Sequence, residues 1–191
     1  YEATHKWKFI YLTGLMGFGA QITRPPGALL AIAIGLYILW KLYQSKQNIF
    51  KGIAQAFYRY HPLLLIPVAL GLVFGWYQIA YGDFFSYFKT GDNIHLVFPP
   101  FQVFNKDSFW VGEIWLEDIV YVFILGFLAV MYLFKQKLYP LAFFVLTYLV
   151  ATIFVTHRDI SRYVAPIFPF VLIAFEKVLT TKEFKIVMGI V

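Results

Sequence analysis

The chain has 191 residues, of which 61% are hydrophobic and 14% charged, with a net charge of +6. Soluble domains usually carry about a quarter charged residues, and a soluble fold of this length cannot bury so much apolar surface. A freely soluble domain is therefore excluded, and the absence of Cys excludes disulfides and thiol chemistry.

The chain starts at Tyr1-Glu2-Ala3-Thr4-His5, with no Met and no signal-peptide pattern, and it ends inside the apolar run 184–191. Both features are expected of a piece of a longer protein. A helix crossing ~30 Å of hydrocarbon needs roughly 20 residues, within a range of about 17–25. In chain order, apolar runs fall at 9–22, 28–43, 63–81, 119–134, 138–155 and 163–179. The sequence thus predicts an all-α, polytopic transmembrane helix bundle of about six spans, with 1–191 forming a single transmembrane domain. Thr23-Arg24-Pro25-Pro26-Gly27 joins the first two runs. Its prolines end a helix and its glycine permits a tight reversal, so a close helical hairpin is expected there. Segment 44–61 reads as a polar loop. Segment 82–118 is the largest connection, with 37 residues. It carries Asp83, Asp92, Asp107, Glu113, Glu117 and Asp118 against Lys89 and Lys106, and it is rich in Phe and Trp. It is expected to be an external loop with short interfacial helices lying on the membrane.

Orientation follows from Lys and Arg. With the first residue inside, eleven fall inside and five outside, the outer set being Arg24, Lys89, Lys106, Arg158 and Arg162. Cytoplasmic loops carry the excess of basic residues, so both visible ends are expected in the cytoplasm. The net positive charge is assigned to this anchoring, and no nucleic-acid partner is expected.

The outer segments hold the polar residues that carry chemistry. Arg24, at the mouth of the hairpin, reads either as an interfacial snorkelling residue or as a phosphate contact, because a guanidinium fork matches phosphate oxygens. Asp83 reads as a loop charge, a general base or a cation ligand. Arg158 and Arg162 are four apart and would share one face of a continuing helix, with Asp159 as a neutralising partner. His157 is either a plain surface group or a phosphate donor. The sequence contains no HExxH, Walker or GxSxG pattern and no metal-ligand spacing of His, so no metal site is assigned.

Three separated segments then align with one family. Arg24-Pro25-Pro26-Gly27, Tyr81-Gly82-Asp83-Phe84-Phe85-Ser86-Tyr87-Phe88 and Arg158-Asp159-Ile160-Ser161-Arg162-Tyr163-Val164-Ala165-Pro166 resemble, in order, motifs of the GPI mannosyltransferase family that adds the second mannose, and of its prokaryotic relatives. In the second segment Phe84 stands where that family has Pro. The resemblance implies a GT-C type glycosyltransferase fold and a sugar, expected to be mannose, moved from a polyprenyl-phosphate donor to a glycan or glycolipid acceptor at the extracytoplasmic face. It implies residence in the plasma membrane of a prokaryote or the endoplasmic reticulum of a eukaryote. It also implies substrate-binding roles for Arg24, Arg158, Arg162, His157 and Asp83, converging on lipid phosphate. The general base of such enzymes sits in an early external loop, so it is expected upstream of this chain. Some members use a divalent cation, for which no ligands are assigned. The competing readings are a transporter or flippase, which needs charged or broken helices at mid-membrane, and a non-catalytic membrane scaffold subunit.

Overall fold

The computed structural model describes residues 6–23, 27–45, 48–89, 96–108, 117–157 and 159–190. These residues are helical apart from short connections, with no strand and a single antiparallel bridge between Leu96 and Val155. The chain divides into two compact units, Tyr1–Asn93 and Ile94–Val191.

The first unit holds α1 (Trp7–Thr23), α2 (Ala28–Ser45), α3 (Ile49–Tyr60), a 3-10 turn (His61–Leu64), α4 (Leu65–Tyr81) and the single turn α5 (Ser86–Lys89). The buried residues of α1 are Ile10, Gly14, Gly17 and Gln21, which recur on one face of a 3.6-residue helix. The glycines let backbones meet. A Cβ on Gly14 would lie 2.2 Å from the Pro62 carbonyl oxygen, and one on Gly17 would lie 2.6 Å from the Ile66 side chain. Small residues serve helix packing in lipid, where hydrophobic burial drives little association and dispersion contact must replace it. The main neighbour of α1 is consequently α4 with the turn before it, not α2 as a close hairpin requires.

The polar loop expected at 44–61 is mostly helix. Asn48 caps α3 by accepting the Phe50 N–H at 3.0 Å. Ile53, Ala56, Phe57 and Tyr60 then recur at helical spacing, with Lys51, Gln55 and Arg59 between them. An uninterrupted apolar run is the wrong signal for such an amphipathic helix. It continues through the 3-10 turn into α4, so Phe50–Tyr81 is one helical stretch of 32 residues. At ~1.5 Å per residue this exceeds a ~30 Å hydrocarbon core, and the amphipathic α3 is the part suited to the interface. An aromatic belt fixes the junction. His61 Nδ1 donates to the Tyr58 carbonyl at 2.8 Å, which leaves Nε2 to accept from the Tyr11 hydroxyl at 3.0 Å. The Trp7 ring lies 5.7 Å from Tyr58 and 5.9 Å from His61, a grouping typical of a membrane–water boundary.

The second unit holds the segment 96–108, α6 (Glu117–Lys135), α7 (Tyr139–Thr152), α8 (Ile160–Val164), a 3-10 turn (Ala165–Ile167), α9 (Phe168–Ala174), α10 (Glu176–Leu179) and α11 (Lys182–Ile190). The buried face of α6, formed by Ile119, Phe123, Gly126, Val130 and Leu133, packs against α7, which buries Ala142, Val145 and Leu149. The sixth expected span, 163–179, is not one helix. An apolar helical stretch runs over Ile160–Ala174 in three segments, with a proline in the first turn of its second and third. Proline has no N–H to continue the ladder, which explains the segmentation.

Among the described residues three helices are long and apolar enough to cross a membrane: Ala28–Ser45, Phe50–Tyr81 and Asp118–Lys135. Two shorter apolar helices, Tyr139–Thr152 and Ile160–Ala174, accompany them. Large apolar side chains such as Met16, Leu39, Trp76 and Leu172 are exposed, and Ile79 is 80% exposed. Water penalises such a surface and lipid solvates it, so the chain is that of a membrane protein.

Candidate functional site

At the end of α4 the Tyr-Gly-Asp segment is occupied by structural work. Gly82 takes a left-handed conformation, φ 72, and its N–H donates to the Gln78 carbonyl at 3.1 Å, closing the helix. Asp83 Oδ1 accepts the Phe85 N–H at 3.0 Å, and Oδ2 is 2.6 Å from Lys89 Nζ. The hydrogen bond from Lys89, helped by that from Phe85, holds the Asp83 carboxyl below its ordinary value. A carboxylate made more acidic is a poorer proton acceptor, so the geometry argues for a turn-forming role rather than a general base. Phe84, Phe85 and Phe88 pack on Phe74 of α4, with ring centroids 5.3, 6.2 and 5.8 Å away. In this part of the long connection the described helix is the single turn α5, and the aromatics around it pack on α4.

The other described part of that connection is anchored in the second unit. Val97 N–H donates to the Phe154 carbonyl at 2.7 Å, and Phe101 N–H donates to the Ile153 carbonyl at 2.6 Å. Phe101 meets Phe123 edge-on at 5.5 Å, and Val103 is fully buried. These contacts fix the exit of α7, from which Thr156 and His157 follow directly.

His157 is half-buried and accepts the Asp159 N–H on Nδ1 at 3.1 Å. With Nδ1 accepting, the neutral ring carries its proton on Nε2 and presents a donor there. Its ring stands edge-on to Tyr163 at 5.5 Å. Asp159 precedes α8, whose buried residues are Ile160 and Val164, while Arg162 is exposed. α8 begins at Ile160, and the shared helical face expected of positions 158 and 162 involves Arg158, which lies outside the described residues. The Thr156 hydroxyl is buried and has no hydrogen-bond partner among the described residues. Unpaired buried hydroxyls are uncommon and invite an account. The segment therefore offers a guanidinium, an imidazole N–H and an unsatisfied hydroxyl within seven residues, a set suited to an anion with several oxygens.

Of the site residues expected from sequence, Asp83 belongs to the first unit, and His157 and Arg162 belong to the second. Arg24 and Arg158 lie outside the described residues, as do Asp92, Trp110 and Trp115. Gly27, just before α2, is packed so tightly that a Cβ would lie 2.7 Å from Gln21 Cα, so this position needs glycine. Thr156 is the residue that sequence reasoning passed over, since a threonine beside a histidine carries no signal until its burial is known. Among the described residues no three His, Asp or Glu side chains converge. No family model, no curated protein and no solved structure matches the chain.

Proposed function

We propose that the chain is part of a GT-C type membrane glycosyltransferase, a mannosyltransferase that moves sugar from a polyprenyl-phosphate donor to a glycan or glycolipid acceptor at the extracytoplasmic face. The observation that carries this reading is the state of Thr156, His157 and Arg162. They sit at the end of an apolar helix with donor groups on offer, whereas Asp83 is committed to its turn. In such a reaction the acceptor oxygen attacks the anomeric carbon and the bond to the lipid phosphate breaks. Charge develops on the departing phosphate, where fixed donors stabilise it most. Arg162 supplies a planar fork and His157 an N–H. The base that takes the acceptor's proton belongs to the part of the protein preceding this chain. The distribution of charge also favours surface chemistry over transport, since α4 and α7 contain no acidic or basic residue.

The topology belongs to the same reading: six crossings, with α1, α2, α4, α6, α7 and the Ile160–Ala174 stretch as spans and both visible ends cytoplasmic. Cysteines placed at Ser45 and Ser108, in a chain with none of its own, then react with an impermeant thiol reagent from opposite sides. Reaction of both from one side rejects the topology. For the activity, Arg162→Ala in the full-length protein lowers sugar transfer from a polyprenyl donor at least about tenfold, with membrane insertion kept, and Arg162→Lys recovers only part. Transfer at the normal rate by both variants rejects the reading.

A further inference from the structure

At the end of α4 the chain folds back along the helix it has just left. Phe74 lies eight residues before Gly82, roughly 12 Å back along the axis at ~1.5 Å per residue. The rings of Phe84, Phe85 and Phe88 nevertheless all reach it. The left-handed Gly82 reverses the chain, and the Asp83 carboxylate fastens the reversal by accepting from the Phe85 N–H and pairing with the Lys89 ammonium. Packing on Phe74 covers only one side of these rings, and Phe85 and Phe88 each remain 55% exposed. Phe74 itself stands at the edge of the exposed arc of α4. Its helical neighbours Gly71 and Gln78 are exposed, and the arc continues over Val68, Leu72 and Ile79.

We infer that the Phe84–Phe88 turn is a re-entrant aromatic wedge, seated in the lipid leaflet at this end of α4 with its rings among the acyl chains and the Asp83–Lys89 pair in the headgroup layer. Depth supports it. α4 belongs to the helical stretch Phe50–Tyr81, which is long and apolar enough to cross a membrane, so rings at the level of Phe74 lie within the hydrocarbon and not above it. Continuity supports it, because the bare sides of the rings adjoin the exposed apolar arc that α4 already presents to lipid. Side-chain chemistry agrees. Tyr and Trp suit the headgroup boundary because they carry a polar tip, whereas Phe has none and gains most from a fully apolar surrounding. Tyr81, at the end of the helix and exposed, is the residue suited to that boundary. Charge agrees as well. Residues 62–89 contain only two charged side chains, Asp83 and Lys89, and these neutralise each other at 2.6 Å. The long Lys89 stem lets its ammonium stay in the wet layer while Phe88 beside it enters the dry one. The inference rests on this turn alone and holds whatever reaction the protein serves.

Lipid photolabelling of the unaltered full-length protein in nanodiscs tests it. The probe is a phosphatidylcholine with a diazirine on its acyl chain, and mass spectrometry locates the adducts. The expected result is labelling of Phe84–Phe88 as heavy as that of the exposed arc of α4. Adducts on α4 with none on Phe84–Phe88 overturn the inference. Spin labels on single cysteines then measure depth: Phe85→Cys and Phe88→Cys in the turn, Ile79→Cys on the lipid-facing arc and Ser45→Cys at the polar end of α2. The labels at 85 and 88 are expected to collide with dissolved oxygen and to lose collisions with a water-soluble nickel chelate, as at 79 and unlike 45. Chelate collisions at 85 and 88 as frequent as at 45 overturn the inference, because they place the rings in water. Shielding of both labels from oxygen and chelate alike also overturns it, because it shows that protein and not lipid covers the rings. Where a cysteine variant fails to insert, photolabelling of the unaltered protein decides alone.

Discussion

The two units solve the same packing problem in different ways. In the first, helices meet through absent side chains: Gly14 and Gly17 bring α1 against the backbone at Pro62 and the side chain of Ile66. In the second, α6 and α7 meet through interleaved Val, Leu and Phe side chains, with Gly126 opposite the flexible end of Leu149. Their polar ends differ too. In the first unit Asp83 and Lys89 shape the exit of α4, while in the second the Thr156 hydroxyl, buried and without a hydrogen-bond partner among the described residues, lies beside His157 in sequence.

The sharpest way to break this contrast is at the glycines. Gly14→Ala sets a methyl 2.2 Å from a carbonyl oxygen that cannot move without its helix, so destabilisation at or above the roughly 1–3 kcal/mol of ordinary overpacking is expected. Gly126→Ala meets only the Leu149 side chain, at 2.7 Å, which can change rotamer, so its cost falls at the low end of that range or below it. Thermal unfolding in detergent checks both, and equal losses would erase the distinction between the two interfaces.

Thr156→Val comes next. It removes a buried hydroxyl with no partner among the described residues, so it leaves stability unchanged or raises it by about 1 kcal/mol, yet it lowers sugar transfer if the hydroxyl serves the donor phosphate. A loss of stability with transfer intact contradicts the role given to this residue. Gly82→Ala costs on the order of 1 kcal/mol, because a Cβ is strained at φ 72 although nothing crowds it. The smallest effect belongs to Lys89→Met. It lets the Asp83 carboxyl rise back toward its ordinary 3.8, seen by carboxyl carbon NMR titration. Since the folded value is depressed, the contribution of Asp83 is present above the ordinary carboxylate range and fades as pH falls through the depressed value. The variant weakens that dependence, with the Phe85 hydrogen bond still in place, and leaves neutral-pH stability nearly unchanged, as an exposed pair should.

Much of the helical frame was legible in the apolar runs. Residues 28–43 and 119–134 sit inside α2 and α6, because an unbroken apolar run in lipid has no structure open to it but helix. Legibility failed where local chemistry interrupts the run. Lys51, Gln55 and Arg59 disguised α3 as a loop, and Pro166 and Pro169 divided what read as one final span. The glycine spacing of α1 was visible, but its partner Pro62 lies some fifty residues on, and nothing local names it. The site was legible as a set of polar residues and not as roles. Asp83 becomes a turn-former only once Phe85 and Lys89 are seen to enclose it. Thr156 becomes a candidate only once its burial removes water as its partner.

The proposed function places a lipid phosphate at the end of α7 and the start of α8. Binding of a polyprenyl monophosphate, the product left after sugar transfer, to the full-length protein in nanodiscs addresses it without any need for turnover. Arg162→Ala is expected to weaken binding at least about tenfold, with Arg162→Lys between it and the unaltered protein and no change in thermal unfolding. The same affinity in all three proteins would contradict it and leave Arg162 as an interfacial anchor.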